Sequence, residues 1–365
     1  MKYLTQLVRI LVGLTFVFSG FVKLVDPLGT SYKFQEYFGA DVLNLEFLIP
    51  YALPFSIFLI VAEFMLGVML LAGFKSKLTI WGLAVMIFIF LFLTWYSAYY
   101  NKVTDCGCFG DAMKLSPWGT FYKNVVLVVW IVFLLVRVKD IKPVRSKSMA
   151  KWISFISLFF ALYISYYVLK HLPIIDFRPY AIGKNIPQGM TIPKDAKQPV
   201  YEDTWIYKVD GKDREFTTEE KPWTIEGATF VDRKTTLIEK GFEPSIHDFT
   251  MEKDGMDMTG RLMEKSRLML IVMYDISKTD TALLPKVKEL SERAMQDGYE
   301  VYVFSASSAE DFDAIKKEYG LDIDLLFCDE TTLKTIIRAN PGIVTLDKGT
   351  ITGKWNATDA DKVKL

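Results

Sequence analysis

Five apolar runs, each long enough to cross a lipid bilayer, constrain this chain more than any other feature of its sequence. They lie at about 3–24, 50–73, 78–99, 120–138 and 152–170. A helix of roughly 20 apolar residues spans about 30 Å of hydrocarbon, so each run predicts one transmembrane helix. The first run ends at Lys23 and Asp26 rather than at a small-residue cleavage site, and we expect it to be a retained span rather than a signal peptide.

The charges divide unevenly between the two halves of the chain. Residues 1–170 carry 16 Lys and Arg against 8 Asp and Glu, whereas residues 171–365 carry 27 against 35. This split excludes one uniform globular domain. It also argues against nucleic acid as a partner, because the basic half is apolar and the polar half is acidic. Three cysteines are too few for a scaffold built on disulfides.

Basic residues also predict the orientation in the membrane. Short loops rich in Lys and Arg stay in the cytoplasm. We therefore expect a multi-pass protein of the bacterial cytoplasmic (inner) membrane with a cytoplasmic N-terminus. The loops 25–49 and 100–119 and everything after the fifth span would then be periplasmic. The basic cluster between the fourth and fifth spans consists of Arg137, Lys139, Lys142, Arg145, Lys147 and Lys151.

Two ionisable residues lie inside the predicted spans, Arg9 in the first and Glu63 in the second. A charge in hydrocarbon is costly, so both side chains should face the interior of the helix bundle and have partners. Because the two spans run antiparallel, we expect Arg9 and Glu63 to come close enough to pair. A structural role in fixing the helices and a functional role in a proton relay or a quinone pocket are the two alternatives.

Cys106 and Cys108 flank Gly107 in the outer loop between the third and fourth spans. Disulfides persist outside the cytoplasm, and a disulfide between residues two apart closes a small, strained ring, which favours lability. The pair is therefore a candidate for thiol–disulfide exchange. A static loop clip is one alternative; a metal site is disfavoured, because zinc needs four N or S ligands and no His lies nearby. Lysines at the same membrane face would lower a thiol pKa, and those expected there are Lys23, Lys102 and Lys123.

Residues 1–140 resemble the DoxX/MauE superfamily of small four-helix membrane proteins. The resemblance lies in Arg9, the Ser19-Gly20 to Lys23 end of the first span, Glu63 and the string Cys106-Gly107-Cys108-Phe109-Gly110, which is closer to MauE than to DoxX. MauE-type proteins are associated with periplasmic maturation of disulfide-rich partners, alongside a thioredoxin-like protein. DoxX relatives are linked to thiosulfate oxidation with quinone reduction.

The rest of the chain divides into three parts. A basic cytoplasmic loop and the fifth span occupy 141–170, and a Pro-rich connector containing β-structure occupies 171–243. Within the connector, residues 204–218 alternate around Asp210-Gly211, which predicts a hairpin. From 244 to 365, strands and helices alternate and end in a second hairpin, which predicts a mixed sheet with helices on both faces. The fold class is therefore a helical membrane bundle, a four-helix core plus a fifth span, with an extracytoplasmic α/β domain.

The order of elements in 244–365 resembles the thioredoxin-like fold in its TlpA/peroxiredoxin-type version. Ile246–Thr250 with Asp254-Gly255 is similar to that family's opening strand and turn. Residues 340–349 are similar to its cis-proline strand, so the resemblance implies that Pro341 is cis.

The chain departs from this family at the active site. Where the family has Cys-x-x-Cys, this chain has Ser277-Lys278-Thr279-Asp280. Without thiols the domain cannot exchange disulfides there, and we expect it to be a binding scaffold. A new catalytic site at Ser277 and Asp280 is disfavoured, because no His base is adjacent in sequence.

Cys328 is the third cysteine and follows a predicted strand over 324–327. It could resolve a disulfide of Cys106 or Cys108, or it could be a buried small apolar residue. We expect the second role, because free cysteines are among the most buried residues.

Together these features predict a membrane protein of periplasmic thiol–disulfide or sulfur redox chemistry, or of the maturation of partner proteins. Cys106 and Cys108 would exchange, which would make the chain an accessory oxidoreductase, and the α/β domain would bind periplasmic clients or a membrane complex. The sequence identifies no cofactor or metal site, and a quinone is the candidate electron acceptor. The alternative function is a non-enzymatic protein of envelope assembly or anchoring.

Overall fold

The chain folds into a helical membrane half and an α/β domain with a mixed sheet, as the sequence predicts. The computed structural model describes residues 1–100, 102, 110–113, 115–239 and 241–365. Among the described residues, five helices are long and apolar enough to cross a membrane, and together they make this a multi-pass membrane protein. The helices of this half are α1 (Lys2–Val25), α2 (Pro27–Phe38), α3 (Ala52–Ala72), α4 (Ser76–Tyr100), α5 (Pro117–Val136) and α6 (Lys147–Lys170).

Glycines set the distance between α1 and α3. A Cβ added to Gly20 would lie 2.7 Å from the backbone nitrogen of Phe64, and a Cβ added to Gly67 would lie 2.7 Å from the backbone nitrogen of Val17. Small residues let helix backbones approach this closely inside a membrane. The two helices therefore lie antiparallel, with the end of α1 beside the middle of α3.

Exposed aromatic side chains mark both ends of α4. Trp81 lies near its start and Tyr99 near its end, and both are exposed. Their separation of 18 positions corresponds to about 27 Å of helix, close to the thickness of the hydrocarbon layer. Because Trp and Tyr concentrate at membrane–water interfaces, these residues indicate the two headgroup levels.

The first outer loop contains a helix that was not predicted. Helix α2 begins after Asp26, whose carboxylate accepts a hydrogen bond from the backbone N–H of Gly29 at 2.9 Å. Asp before Pro is a favourable start for a helix. Phe34 of α2 packs edge-on against Phe55 of α3, with ring centroids 5.0 Å apart. The loop is thus folded onto the bundle.

Residues 184–249 form a compact unit of their own. The unit contains α7 (Ile186–Met190), β1 (Val200–Val209), β2 (Lys212–Thr217) and β3 (Thr229–Glu239), in the sheet order β2-β1-β3. The predicted hairpin is confirmed, and both turn residues have positive φ, 53° at Asp210 and 79° at Gly211. Strand β3 was not predicted; all of its residues are exposed, so it lacks the half-buried alternation that marks a strand.

The α/β domain is built on a seven-stranded sheet. In chain order its elements are β4 (Glu252–Lys253), β5 (Met256–Asp257), α8 (Thr259–Met263), β6 (Leu268–Val272), α9 (Leu284–Gln296), β7 (Glu300–Ser305), α10 (Ala309–Tyr319), β8 (Asp324–Phe327), α11 (Glu330–Ile336), β9 (Gly342–Asp347) and β10 (Thr350–Asn356). The sheet order is β10-β9-β6-β7-β8-β4-β5. Strands β6, β7 and β8 are parallel, because α9 and α10 supply the crossovers that parallel strands need.

The opening strand of this domain differs from the prediction. Residues 246–250 are not a strand, and the first strand begins at Glu252. The backbone N–H of Ile246 donates to the carbonyl of Gly189 rather than to a sheet. The predicted turn is present, with positive φ at Asp254 and Gly255.

Candidate functional site

A buried ion pair joins α1 to α3 near the end of α1. Lys23 Nζ donates to both carboxylate oxygens of Glu63, at 3.0 and 2.8 Å, and to Ser19 Oγ at 3.2 Å. The side chains of Lys23 and Glu63 are only 8% and 3% exposed. The same ammonium lies 5.1 Å from the ring centroid of Phe90 in α4. Three helices thus enclose one pair of opposite charges, as a polar group inside a membrane bundle requires.

The predicted pairing of Arg9 with Glu63 is wrong. The close contact between Gly20 and Phe64 places Glu63 beside the end of α1, about four helical turns from Arg9. Glu63 therefore meets Lys23, which the sequence had suggested as a surface amine near the cysteine loop. Lys23 is instead buried, and the carboxylate of Glu63 balances its charge.

Arg9 binds backbone carbonyls at the other end of the bundle. Its guanidinium donates to the carbonyls of Leu70 at 2.8 Å, Leu71 at 2.7 Å and Lys142 at 3.0 Å. Leu70 and Leu71 belong to the last turn of α3, whose carbonyls have no partner within the helix and carry the negative end of its dipole. Arg9 thus closes the end of α3 and holds the loop before α6, which is a structural role.

The Cys106-Gly107-Cys108 motif lies outside the described residues. The chain is described again at Gly110, where an added Cβ would lie 3.2 Å from a side-chain methyl of Val22. Val22 precedes Lys23. The two cysteines are therefore followed, within a few residues of sequence, by a segment packed against the end of α1 that carries the buried ion pair.

The α/β domain contacts the same end of the bundle through α2. Arg338 Nε donates to the two carboxylate oxygens of Asp26 at 3.1 and 2.9 Å, and the Arg338 side chain is only 8% exposed. The guanidinium lies 5.4 Å from the ring centroid of Tyr32. The hydroxyl of Tyr32 donates to that of Tyr274 at 3.4 Å. Burial first, and Tyr274 second, raise the pKa of Tyr32, so this hydroxyl stays protonated.

The contact involves the edge of the domain that carries the expected cis-proline. The Asn340–Pro341 peptide bond is cis. The carbonyl of Asn340 accepts from the backbone N–H of Asp280 at 3.1 Å, and the amide oxygen of Asn340 accepts from Thr279 Oγ1 at 3.2 Å. The segment 277–280 therefore lies beside Pro341. Arg338, three residues before Pro341, connects this edge of the domain to α2 through its ion pair with Asp26.

Ser277 and Asp280 form local turn contacts. Ser277 Oγ donates to Asp275 Oδ1 at 2.6 Å, and Asp280 Oδ1 accepts from the backbone N–H of Ala282 at 3.2 Å. Burial would raise the pKa of Asp275, but hydrogen bonds from Lys278 and Ser277 outweigh it and hold this pKa below its usual range. An acceptor of such low basicity is poorly suited to activate a serine.

A second set of contacts fixes the domain to the end of α6. His171 Nδ1 lies 2.6 Å from Asp359 Oδ2, and Asn356 Nδ2 donates to the carbonyl of His171 at 3.1 Å. The carboxylate of Asp176 accepts from Arg178 Nε at 2.7 Å and from Lys354 Nζ at 2.6 Å. The residues after α6 are thus bonded to β10 and its neighbours rather than forming a loose tether.

Cys328 is fully buried at the end of β8, as expected for a free cysteine. Burial is the main cause that raises its pKa to about 12. A thiol of that pKa has almost no thiolate at neutral pH and is a poor resolving nucleophile.

Sequence comparison relates parts of the chain to known proteins. Residues 1–137 match the family described as methylamine utilisation protein MauE, so the membrane half contains a MauE-type domain. Residues 201–240 match a domain of unknown function, DUF8463. The chain is also 29% identical over 153 residues to Protein TlpB of Flavobacterium psychrophilum, a match that covers 38% of this chain and 39% of that protein. The chain thus aligns with about two fifths of this curated relative. No solved structure matches the chain.

Several residues of this region were missed as site residues in the sequence. Asp26 precedes a proline, and this pattern favours the start of a helix but does not indicate an ion pair. Tyr32 lies in the predicted outer loop 25–49, and Arg338 stands 312 residues from its partner, Asp26. Neither has a local signal, because the contact exists only after both halves have folded.

Removing one partner of the Lys23–Glu63 pair should destabilise the protein more than removing both. Lys23→Met or Glu63→Leu alone leaves an unpaired buried charge, which costs about 3–5 kcal/mol, whereas the double variant leaves none. Unfolding by denaturant in detergent micelles would measure this double-mutant cycle.

The exposed pair Lys33–Glu36, 3.0 Å apart, is the matched control. Lys33→Met and Glu36→Leu should each change stability by less than about 1 kcal/mol. Additive losses at Lys23 and Glu63 would contradict the interpretation that the two charges compensate each other.

Lys354 predicts a pH dependence of stability. Burial first and Arg178 second lower its pKa from 10.5 to about 8, although Asp176 opposes the shift. Between these two values the unfolded chain binds more protons than the folded chain, so this residue's contribution to the free energy of unfolding rises with pH. The stability of the native protein relative to Lys354→Met should therefore increase from pH 8 to 10, by at most about 1.4 kcal/mol per pH unit.

Thermal unfolding at pH 7, 8, 9 and 10 would test this dependence. Lys317→Met, which removes an exposed lysine of the same domain, should show no such trend. A constant difference between the native protein and Lys354→Met across this range would show that the pKa of Lys354 is not lowered.

Proposed function

We propose that this protein takes part in thiol–disulfide chemistry at the periplasmic face of the cytoplasmic membrane, with Cys106 and Cys108 as the exchanging pair. The α/β domain is a binding module that is held beside the loop carrying the pair and presents client proteins to it. The N-terminus and the basic loop 137–151 are cytoplasmic in this proposal.

The described residues on either side of the end of α1 carry the proposal. Gly110 packs on Val22, next to the buried Lys23–Glu63 pair, and Asp26 binds Arg338 of the α/β domain one turn further along the chain. The segment that follows the cysteines, the buried charges and the contact edge of the domain are therefore neighbours at one end of the bundle. Residues 1–137 match methylamine utilisation protein MauE, which supports the assignment of the membrane half. The resemblance of residues 1–140 to MauE-type proteins in turn implies maturation of disulfide-rich partners.

The proposed exchange conserves electrons and protons over three steps. A thiolate of the client attacks the Cys106–Cys108 disulfide and forms a mixed disulfide with one cysteine, while the other leaves as a thiolate. The second client thiol then displaces the bound cysteine, so the client is oxidised and the pair is reduced. A membrane quinone accepts two electrons and two protons from the reduced pair and restores the disulfide.

A non-enzymatic anchoring function is the second candidate. The observation in its favour is that Ser277 and Asp280 replace both thiols of the expected exchange motif and that their side chains form local turn contacts. In that case the domain would hold an envelope partner, and the cysteine pair would be a static clip.

Trapping of mixed disulfides separates the two functions. If the pair exchanges, Cys106→Ala or Cys108→Ala should accumulate client adducts in cells, visible on non-reducing gels and lost on reduction, because the resolving thiol is missing. The double variant should give none. Cys328→Ala is the control and should leave the adducts unchanged, because that thiol is fully buried.

Absence of adducts in both single variants, together with full function of the double variant, would favour anchoring. Labelling of Cys106 and Cys108 in intact spheroplasts by a thiol reagent that cannot cross membranes, after an equally impermeant reductant has opened their disulfide, would test the orientation. Protection in spheroplasts with labelling after lysis would place the pair in the cytoplasm and overturn the proposal.

The role of the docked domain has its own test. Arg338→Asp places a second negative charge against Asp26 and should release this edge, which would raise hydrogen exchange in α2 and reduce adduct formation. Asp26→Arg combined with Arg338→Asp should largely restore both the low hydrogen exchange of α2 and the formation of adducts, because the pair is re-formed with reversed charges. Arg233→Asp disrupts an exposed ion pair of the connector with Asp203 and is the matched control. Adduct levels that do not respond to Arg338→Asp would exclude a presenting role for the domain.

A further inference from the structure

A cavity of about 410 Å³ lies at the opposite end of the bundle from the candidate site. It is formed where the turn from α3 to α4 faces the residues that follow α5. Its lining residues are Lys75, Ser76, Lys77, Leu78, Val138 and Lys139.

The lining surface is mainly apolar, and lysines contribute much of it. Three of the six lining residues are lysines, and none is acidic. The neighbouring acid, Asp140, is bound by Arg137 at 2.5 Å. Lys75 Nζ lies 5.7 Å from the ring centroid of Phe74, and Ser76 Oγ donates to the carbonyl of Ile141.

The lysines and the apolar side chains of the lining together suit a ligand that has an anionic group and an apolar part. A ligand with its own ammonium group would meet three lysines and no carboxylate of the cavity. A small soluble anion would leave the surface of Leu78 and Val138 unused, and Leu78 is 61% exposed.

The cavity lies at the level of lipid headgroups. Residues 75–78 are within two turns of Trp81, the exposed aromatic residue that marks one membrane interface on α4. Helix α5 ends at Val136, just before Val138 and Lys139. The opening therefore lies where the phosphates of phospholipids are found, and the apolar wall continues toward the hydrocarbon layer.

We propose that this cavity binds the headgroup phosphate of an anionic phospholipid, with the first part of an acyl chain along Leu78 and Val138. Basic pockets between transmembrane helices are suited to such headgroups, because each lysine near the membrane surface adds to the attraction. The site is independent of the thiol chemistry proposed above, and the experiment below does not depend on it.

Native mass spectrometry of the full-length protein in detergent tests the proposal. The probes are phosphatidylglycerol, phosphatidylcholine and inorganic phosphate. The native protein should retain phosphatidylglycerol in preference to phosphatidylcholine, and excess inorganic phosphate should not displace it. The triple variant Lys75→Gln, Lys77→Gln, Lys139→Gln should bind phosphatidylglycerol at least about tenfold more weakly, since each lysine contributes to the attraction.

A second triple variant controls for general surface charge. Lys2→Gln, Lys147→Gln, Lys151→Gln removes the same charge from exposed positions at this end of the bundle, outside the cavity. This control variant should bind phosphatidylglycerol as tightly as the native protein does. Equal loss in both variants would mean non-specific attraction, and equal retention of phosphatidylcholine would mean a purely apolar groove. Displacement by inorganic phosphate would indicate a soluble-anion site. Each of these results would overturn the proposal, and thermal unfolding of both variants would verify that they are folded.

Discussion

The close approach of α1 and α3 determines which partners the buried charges of Arg9, Lys23 and Glu63 meet. Gly20 and Gly67 let the two backbones come within a distance that any side chain would prevent. The antiparallel register that follows places Glu63 beside Lys23 and Arg9 beside the last turn of α3. Arg9, Lys23 and Glu63 therefore each have a partner on these two helices. A shift of one helical turn between the helices would leave an ammonium, a carboxylate and a guanidinium unpaired in a medium of low dielectric constant, and it is this penalty that makes the register unique.

Because of this register, buried charges bind backbone carbonyls at one end of the bundle and charged side chains at the other. At one end, Arg9 is committed to carbonyls of α3 and to Lys142, which explains its presence in a span without any chemistry. At the other end, charge and hydrogen-bonding groups continue from Glu63 through Lys23 and Asp26 into the α/β domain. These polar groups lie at the end of α1 on which Gly110 packs, two residues after Cys108 in the sequence. The functional proposal follows from this asymmetry rather than from the fold class, which many unrelated functions share.

Much of the fold could be predicted because its signals are local. The apolar length of each span is visible in the sequence, and β8 occupies the predicted residues 324–327. Helix α2 and strand β3 escaped prediction: the first has a modest share of apolar residues, and the second has no buried side.

The site was harder to predict than the fold. The pairing of Arg9 with Glu63 was wrong because the relative shift of two helices depends on where the glycines meet, which hydrophobic patterning does not encode. The Asp26–Arg338 contact joins residues from opposite ends of the chain, and no sequence feature near either residue indicates the other as its partner. Long-range pairs of this kind are a property of the assembled molecule.

The α/β domain is bonded to two different membrane segments. Arg338 binds Asp26 at the junction of α1 and α2, while Asp359 and Asn356 bind His171 at the end of α6. The folded domain thereby joins the end of the first span to the end of the fifth. The sideways spacing of these two spans is then set by contacts with the α/β domain as well as by helix packing. A displacement of the domain would therefore move both spans.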